Sequence, residues 1–207
     1  MGSIIMHLCI ANEVDKELNI KDDKFYIGNM KPDTDKLNGI TRIDSHYIKQ
    51  YTIDNKFYEL PDIEKFIKEN RNKLKDDNIL LGYLSHLIAD EIWYKIVSDK
   101  YTEQLSEDKE KIKLYNQEEI LPYSEFKRMI YEDYANTNNY LIRKYNIDID
   151  KILNIIKDNK EFDCIKDFLI ESKEYKENID LNIINIEDIL EWVQKSKQKV
   201  IEQIKNL

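Results

Sequence analysis

An all-α fold, one multi-helix domain built on a buried central helix, is predicted by three features of the sequence. Only four glycines and three prolines punctuate the 207 residues, too few for the turn-dense pattern of a sandwich or barrel. Apolar residues recur at helical spacing behind recognisable N-caps. One segment, roughly Asn78 to Lys100, is apolar nearly all round over its first half, as a helix enclosed by others must be. A chain of this length buries a sizeable core, so one domain is expected: residues 1–145 form the core and residues 146–207 add C-terminal helices packed on it.

Taken in order, Ser3 caps a first helix expected to reach about Leu18, with Ile4, Leu8, Ala11 and Val14 on a stripe that also carries His7. From Asn19 to Asn55, Gly28, Pro32 and Gly39 break the pattern into loops and short turns. Pro61, Asp62 and Glu64 start a helix that ends near Arg71 and turns Ile63, Phe66 and Ile67 inward. Asp77 caps the central helix. Residues 101–123, with the charged run Ser106 to Lys111, read as exposed helix or loop. Ser124 and Glu125 open another helix through about Tyr145, and the last sixty residues hold at least two more.

Composition narrows the function. Forty-one acidic residues against 32 basic ones give a net charge of −9, whose average field repels nucleic acid and anionic membrane surfaces, so no specific nucleic-acid partner is expected. The chain is 42% hydrophobic and 11% aromatic, too apolar for a disordered segment. Cys9 and Cys164 make no disulfide framework and suit a reducing compartment. The first residues lack a basic n-region and long apolar core, so a cytoplasmic protein is expected. The longest apolar run, Ile79 to Ala89, is too short for a membrane span.

The chemistry is carried by few residues. His86 and Asp90 lie four apart on the central helix, which puts them on one face at about 5–6 Å between Cβ atoms, within reach of one ion. A charged Asp in so apolar a helix costs several kcal/mol unless paired, and a divalent cation is one partner able to offset that; a His–Asp hydrogen bond in the core is the other reading. Asp33 follows Pro32 in what reads as a loop, His46 sits beside a helix start, and His7 is on the first helix. Asp133, with Glu132 as second choice, is a further candidate on the later helix, where a solvated face is the alternative.

Read together, His7, Gly28-Asn-Met-Lys-Pro-Asp33, Ser45-His46 and Gly82-Tyr-Leu-Ser-His86-x3-Asp90 resemble the zinc-dependent phospholipase C family, whose relatives include single-strand-specific nucleases. The likeness is best over about the first 95 residues. It implies a helical fold holding zinc, with hydrolysis of phosphate esters. It further implies one metal site from Asp33, His46, His86 and Asp90, with Asp90 bridging to a second ion also bound by His7. The family carries further histidines on the central and a later helix; this sequence has none after His86, so a three-zinc cluster of the family's kind is not expected.

Imidazoles and carboxylates together suit zinc, the family's metal, or alternatively Fe, Mn or Ni. The expected reaction is attack of a metal-bound hydroxide on a small phosphate-containing substrate. Asp33 is expected as a ligand with general-base character. Lys31, Lys36 and Arg42 are candidates to neutralise the phosphate, and Tyr26, Tyr47, Tyr83 and Tyr94 to line a pocket. Cys9 is expected in the core. A phosphohydrolase of the His-Asp type is disfavoured because no adjacent His-Asp pair exists. The competing class is a non-catalytic helical protein that binds metal or a partner through a degenerate site.

Overall fold

The computed structural model describes residues 2–54, 56–105, 111–115, 119–174, 178 and 180–207. Its helices are α1 (Ile4–Leu18), α2 (Asp23–Leu37), α3 (Arg42–Ser45), α4 (Ile63–Asn70), α5 (Asn78–Lys100), α6 (Tyr123–Tyr145), α7 (Ile149–Ile156), α8 (Asp163–Glu174) and α9 (Ile186–Lys205). The fold is all-α, with two small antiparallel sheets on its flank. The first pairs β1 (Ile48–Ile53) with β2 (Lys56–Pro61). The second orders β3 (Thr102–Gln104), β4 (Lys111–Leu114) and β5 (Glu119–Pro122), with Ile112 opposite Leu121.

Local chemistry explains the helix ends. Ser3 Oγ accepts from Met6 N at 3.2 Å and donates to Asn138 Oδ1 on α6 at 2.8 Å, so one hydroxyl both starts α1 and ties it to another helix. The Asp77 carboxylate accepts from Ile79 N and Leu80 N at the head of α5. Asn19 and Asn146, with φ of 54° and 53°, close α1 and α6 in the left-handed region.

Two expectations give way. The segment from Asn19 to Asn55, read as loops, contains α2, capped by Asp22, and then the hairpin β1–β2. Gly28 and Pro32, taken as breakers, lie inside the helix. Pro32 has no N–H to give the Gly28 carbonyl, and Thr34 Oγ1 donates to the Lys31 carbonyl at 2.9 Å just beyond the interruption. The second expectation was exposed helix or loop over residues 101–123. There the described residues form β3–β5, and Ile112, Leu114 and Leu121 are buried beneath the charged faces. Ser106 to Glu110 of that charged run lie outside the described residues.

The helix α5 is the hub: α1, α2, α4 and α9 all pack on it, and Leu84, Leu87, Ala89 and Trp93 are almost wholly buried. Its contact with α2 is backbone to backbone. A Cβ on Gly28 would stand 1.9 Å from the Ile79 carbonyl oxygen, and a Cβ on Gly82 would stand 2.0 Å from that of Phe25. The two glycines face across one crossing, and hydrogen alone fits at either. Trp192 of α9 donates from Nε1 to the Ala89 carbonyl at 2.8 Å, anchoring the C-terminal helix beside Asp90. Cys9 is buried in this core, and both cysteines are free thiols.

Gly28→Ala or Gly82→Ala must push α2 and α5 apart. Each is expected to lower unfolding free energy by about 3 kcal/mol, the upper part of the range for overpacking, because backbone and not a flexible side chain is in the way. Chemical denaturation reads this, with Gly39→Ala, open on all sides but at φ 96°, as a milder reference.

Candidate metal centre

Five side chains from four helical segments meet in the interior. His7 comes from α1, Asp33 from α2, His46 from the residue that ends α3, and His86 and Asp90 from α5. None of the five residues exceeds 5% exposure, which makes their polarity the fact to be explained. His7 Nε2 is 3.2 Å from Asp90 Oδ1, and His86 Nε2 is 3.5 Å from Asp90 Oδ2. His46 Nε2 is 3.5 Å from Asp33 Oδ1 and 3.7 Å from Asp90 Oδ2. The rings of His7 and His86 stack at 3.7 Å between centroids.

Two of the three rings are bonded from behind, and the front of the cluster is not. His86 Nδ1 lies 2.8 Å from the Asn29 carbonyl oxygen, which only accepts, so this nitrogen carries a proton and Nε2 is turned inward. His46 Nδ1 pairs with Ser45 Oγ at 2.8 Å, and Tyr83 donates to the Ser45 carbonyl, fixing the turn that aims the ring. Trp192 meets His7 edge-on. By contrast, both nitrogens of His7, His46 Nε2, His86 Nε2 and both oxygens of Asp90 are buried without a hydrogen bond. Buried polar atoms are nearly always satisfied, and outer hydrogen bonds that fix ring orientation are the usual support of metal-binding histidines.

The electrostatics fit a cation. Burial, aided by the neighbouring His86, pushes His7 down to about 4, and burial also lowers His46 despite the opposing pull of Asp33. Both rings are therefore neutral donors at neutral pH. Burial pushes His86 down too, but Asp90 beside it outweighs that, so His86 ends above its ordinary value. Burial alone would raise the carboxyls of Asp33 and Asp90. His46, His86 and Lys36 hold Asp33 below the usual carboxylate range, and His86 and His7 do the same for Asp90. Two sets of donor atoms each lie within 4.8 Å of one another, His7, His86 and Asp90 in one, Asp33, His46 and His86 in the other. Either could hold an ion, and Asp90 contacts members of both.

The sequence model of the family described as zinc dependent phospholipase C matches residues 4–184, a span that contains all five side chains. The chain belongs to the zinc-dependent phospholipase C family. No curated protein and no solved structure matches it. Zinc is thus the family's metal, and the mixed imidazole and carboxylate set is one it accepts.

Other candidates go elsewhere. Asp133 is buried on α6, but its Oδ1 accepts from Asn182 N and Nδ2 and its Oδ2 from Ile183 N and Ile184 N, at 2.7–3.2 Å. The structure does not bring it to the cluster; it holds the strand of chain leading into α9. Glu132 is exposed and pairs with Arg128. Lys31 is shared between Asp35 and Glu161, whereas Lys36 reaches Asp33 Oδ1 at 3.0 Å. Arg42 bonds Glu59 at 2.8 Å. Of the tyrosines, Tyr26 bonds Asp15 and Tyr47 packs on Phe66, while Tyr94 lines a cavity. Sequence reasoning missed Asn29, Ser45 and Trp192. Of these, Ser45 carried a readable signal, being adjacent to His46.

Two outcomes are expected. First, chelator-stripped protein takes up zinc and gains stability, by about 2.7 kcal/mol at a hundredfold excess over Kd. Because His86 holds its proton above its ordinary value, uptake releases a proton near neutrality. Affinity then falls as pH drops, by up to about tenfold per unit for each imidazole that must deprotonate; calorimetry in buffers of different ionisation enthalpy reads both. Second, Asp133→Ala costs at least about 2 kcal/mol by orphaning buried N–H groups yet leaves zinc content unchanged, as metal analysis of the purified variant checks.

Proposed function

We propose that the five-residue cluster is the catalytic zinc centre of a phosphate-ester hydrolase, with His7, Asp33, His46, His86 and Asp90 as ligands. The observation that carries this reading is the convergence of three Nε2 atoms and both Asp90 oxygens, buried and without hydrogen bonds, with the His46 and His86 rings held from behind by Ser45 and the Asn29 carbonyl. Bound zinc supplies Lewis acidity toward a phosphoryl oxygen and acidifies a water molecule. Over the whole hydrolysis, a P–O bond to the water oxygen would replace the ester P–O bond, and the proton lost by the water would end on the departing alcohol.

The chain's own residues frame that reaction. His46 and Lys36 keep Asp33 ionised, which makes it a weak proton acceptor near neutrality and suits it to the role of a ligand that stays charged. Any general-base contribution from Asp33 is correspondingly small. Asp90 links the two donor sets and neutralises the charge they gather. The Asn29 carbonyl keeps a proton on His86 Nδ1, and Ser45 orients the His46 ring. Lys36, alongside Asp33, is placed to balance charge on the phosphate. Two free thiols and the acidic surface support a cytoplasmic setting and a small-molecule substrate over nucleic acid.

The burial of the cluster favours a second reading, a structural metal site without turnover. Hydrolysis of bis(4-nitrophenyl) phosphate separates the two. Zinc-loaded wild type is expected to hydrolyse it, and Asp90→Ala to lose both zinc and at least about a hundredfold in rate, since the ligand joins both donor sets. Stoichiometric zinc with no hydrolysis above solvent supports the structural site, and equal rates in wild type and Asp90→Ala remove the catalytic one.

A further inference from the structure

A cavity of about 220 Å³ opens beside the cluster, walled by α5, α6, strands β3 and β4, Phe57 of β2, and Lys36 and Arg42 from the facing ends of α2 and α3. Lys36 is common to both: it lines the cavity while its Nζ stands 3.0 Å from Asp33 Oδ1. Trp93, three residues after Asp90 on α5, also lines the cavity and donates from Nε1 to the Tyr134 hydroxyl at 2.8 Å. The cavity therefore adjoins the metal ligands through two fixed side chains.

Its chemistry is unlike the rest of the surface. The charged residues lining it are Lys36, Arg42 and Lys127 against Glu103, an excess of two positive charges in a chain whose net charge is −9. Arg42 is held by Glu59 at 2.8 Å and lies over the Tyr94 ring at 5.9 Å, and Lys127 lies over Tyr131 at 5.7 Å. Cations so anchored lose little freedom when they meet an anion. Beyond them the walls are Tyr94, Tyr123, Phe126 and Tyr134, a set of ring faces around an apolar interior.

We propose that this cavity is the substrate pocket, taking a small phosphate ester whose organic group is a single aromatic ring or a short branched apolar chain. The phosphate end lies toward Lys36, Arg42 and the cluster, and the organic group lies among Tyr94, Tyr123 and Phe126. This rests on the hydrolase reading and adds the substrate class to it. Size sets the limit. Pockets for drug-sized ligands run from about 300 to 1,000 Å³, so this one holds a ring but not two long acyl chains.

Binding of two non-hydrolysable probes, phenylphosphonate and methylphosphonate, tests the proposal on the full-length zinc-loaded chain by calorimetry. The phenyl compound is expected to bind about tenfold or more tightly, since each added carbon in an apolar pocket counts. Phe126→Ala, which shortens a half-buried wall, and Val97→Phe, which fills the cavity, should each erase that preference while zinc content and the affinity for methylphosphonate persist. Lys36→Met should weaken both probes alike, with Lys36→Arg restoring most of the loss. Equal affinities in wild type, or a preference that survives both Phe126→Ala and Val97→Phe, overturns the proposal. So does faster hydrolysis of diacyl phospholipid vesicles than of phenyl methyl phosphate. Failure of the hydrolase reading looks different: zinc absent, or bound without hydrolysis of any ester, while the preference between the probes is still read directly.

Discussion

Everything at the cluster depends on how closely α2 and α5 approach. Because Gly28 and Gly82 offer hydrogen where each meets the other helix's carbonyl, the backbones touch. The Asn29 carbonyl can then reach the His86 ring at 2.8 Å. With ordinary side chains at the crossing, the axes would part to the 8–10 Å or so of a normal helix pair, and that hydrogen bond would be lost. The same approach sets Asp33, just over one turn beyond Gly28, opposite the face that carries His86 and Asp90. The glycines are thus not flexible points. They are the spacing that lets a carbonyl of one helix and a carboxylate of the same helix both address an imidazole of the other.

That arrangement is expensive for a protein without a cation to serve. Two carboxylates and three imidazoles buried together leave several polar atoms without partners, and each such atom costs on the order of 1–3 kcal/mol. A core of the same volume lined with leucine would avoid the cost altogether. The surrounding structure shows no economy of that kind. It adds further polar groups behind the rings, Ser45, Asn29 and the tethering Tyr83, whose effect is to aim nitrogen lone pairs at one place. Trp192 closes the side nearest His7, which brings the C-terminal helix into the wall of the centre although it contributes no donor atom.

The legible and illegible parts of the sequence divide along physical lines. Helices α1, α5 and α6 are readable because a capping or first-turn residue precedes an apolar stripe in α1 and α6 and a nearly all-apolar run in α5. The helix α2 was hidden because Gly28 and Pro32 signal a break when their local preferences are taken alone. Their tolerance comes from tertiary contact, the crossing with α5 and the loss of one donor where Thr34 supplies another, and no window of sequence reports that. The hairpin β1–β2 had a signal in the Asp54-Asn55 pair between two runs rich in β-branched and aromatic residues. Strands β3–β5 had almost none, being three or four residues long and flanked by charged runs. At the site, His7, Asp33, His46, His86 and Asp90 do assemble. Asp133 shows the limit of composition: an inward carboxylate on a helix looks the same in sequence whether it meets a cation or a run of backbone N–H groups.

Charge is distributed against the average. A net charge of −9 would keep anions away from most of the surface, yet the cavity beside the cluster carries a local positive excess. In low dielectric such local charge outweighs the screened field of distant carboxylates, because interaction energy scales inversely with both distance and permittivity. Lys36 is where the two halves of the molecule's chemistry join. Its ammonium is held by Asp33, a member of the cluster, and the residue also lines the cavity, so one side chain contributes both to the charge balance of the centre and to the polarity of the cavity beside it.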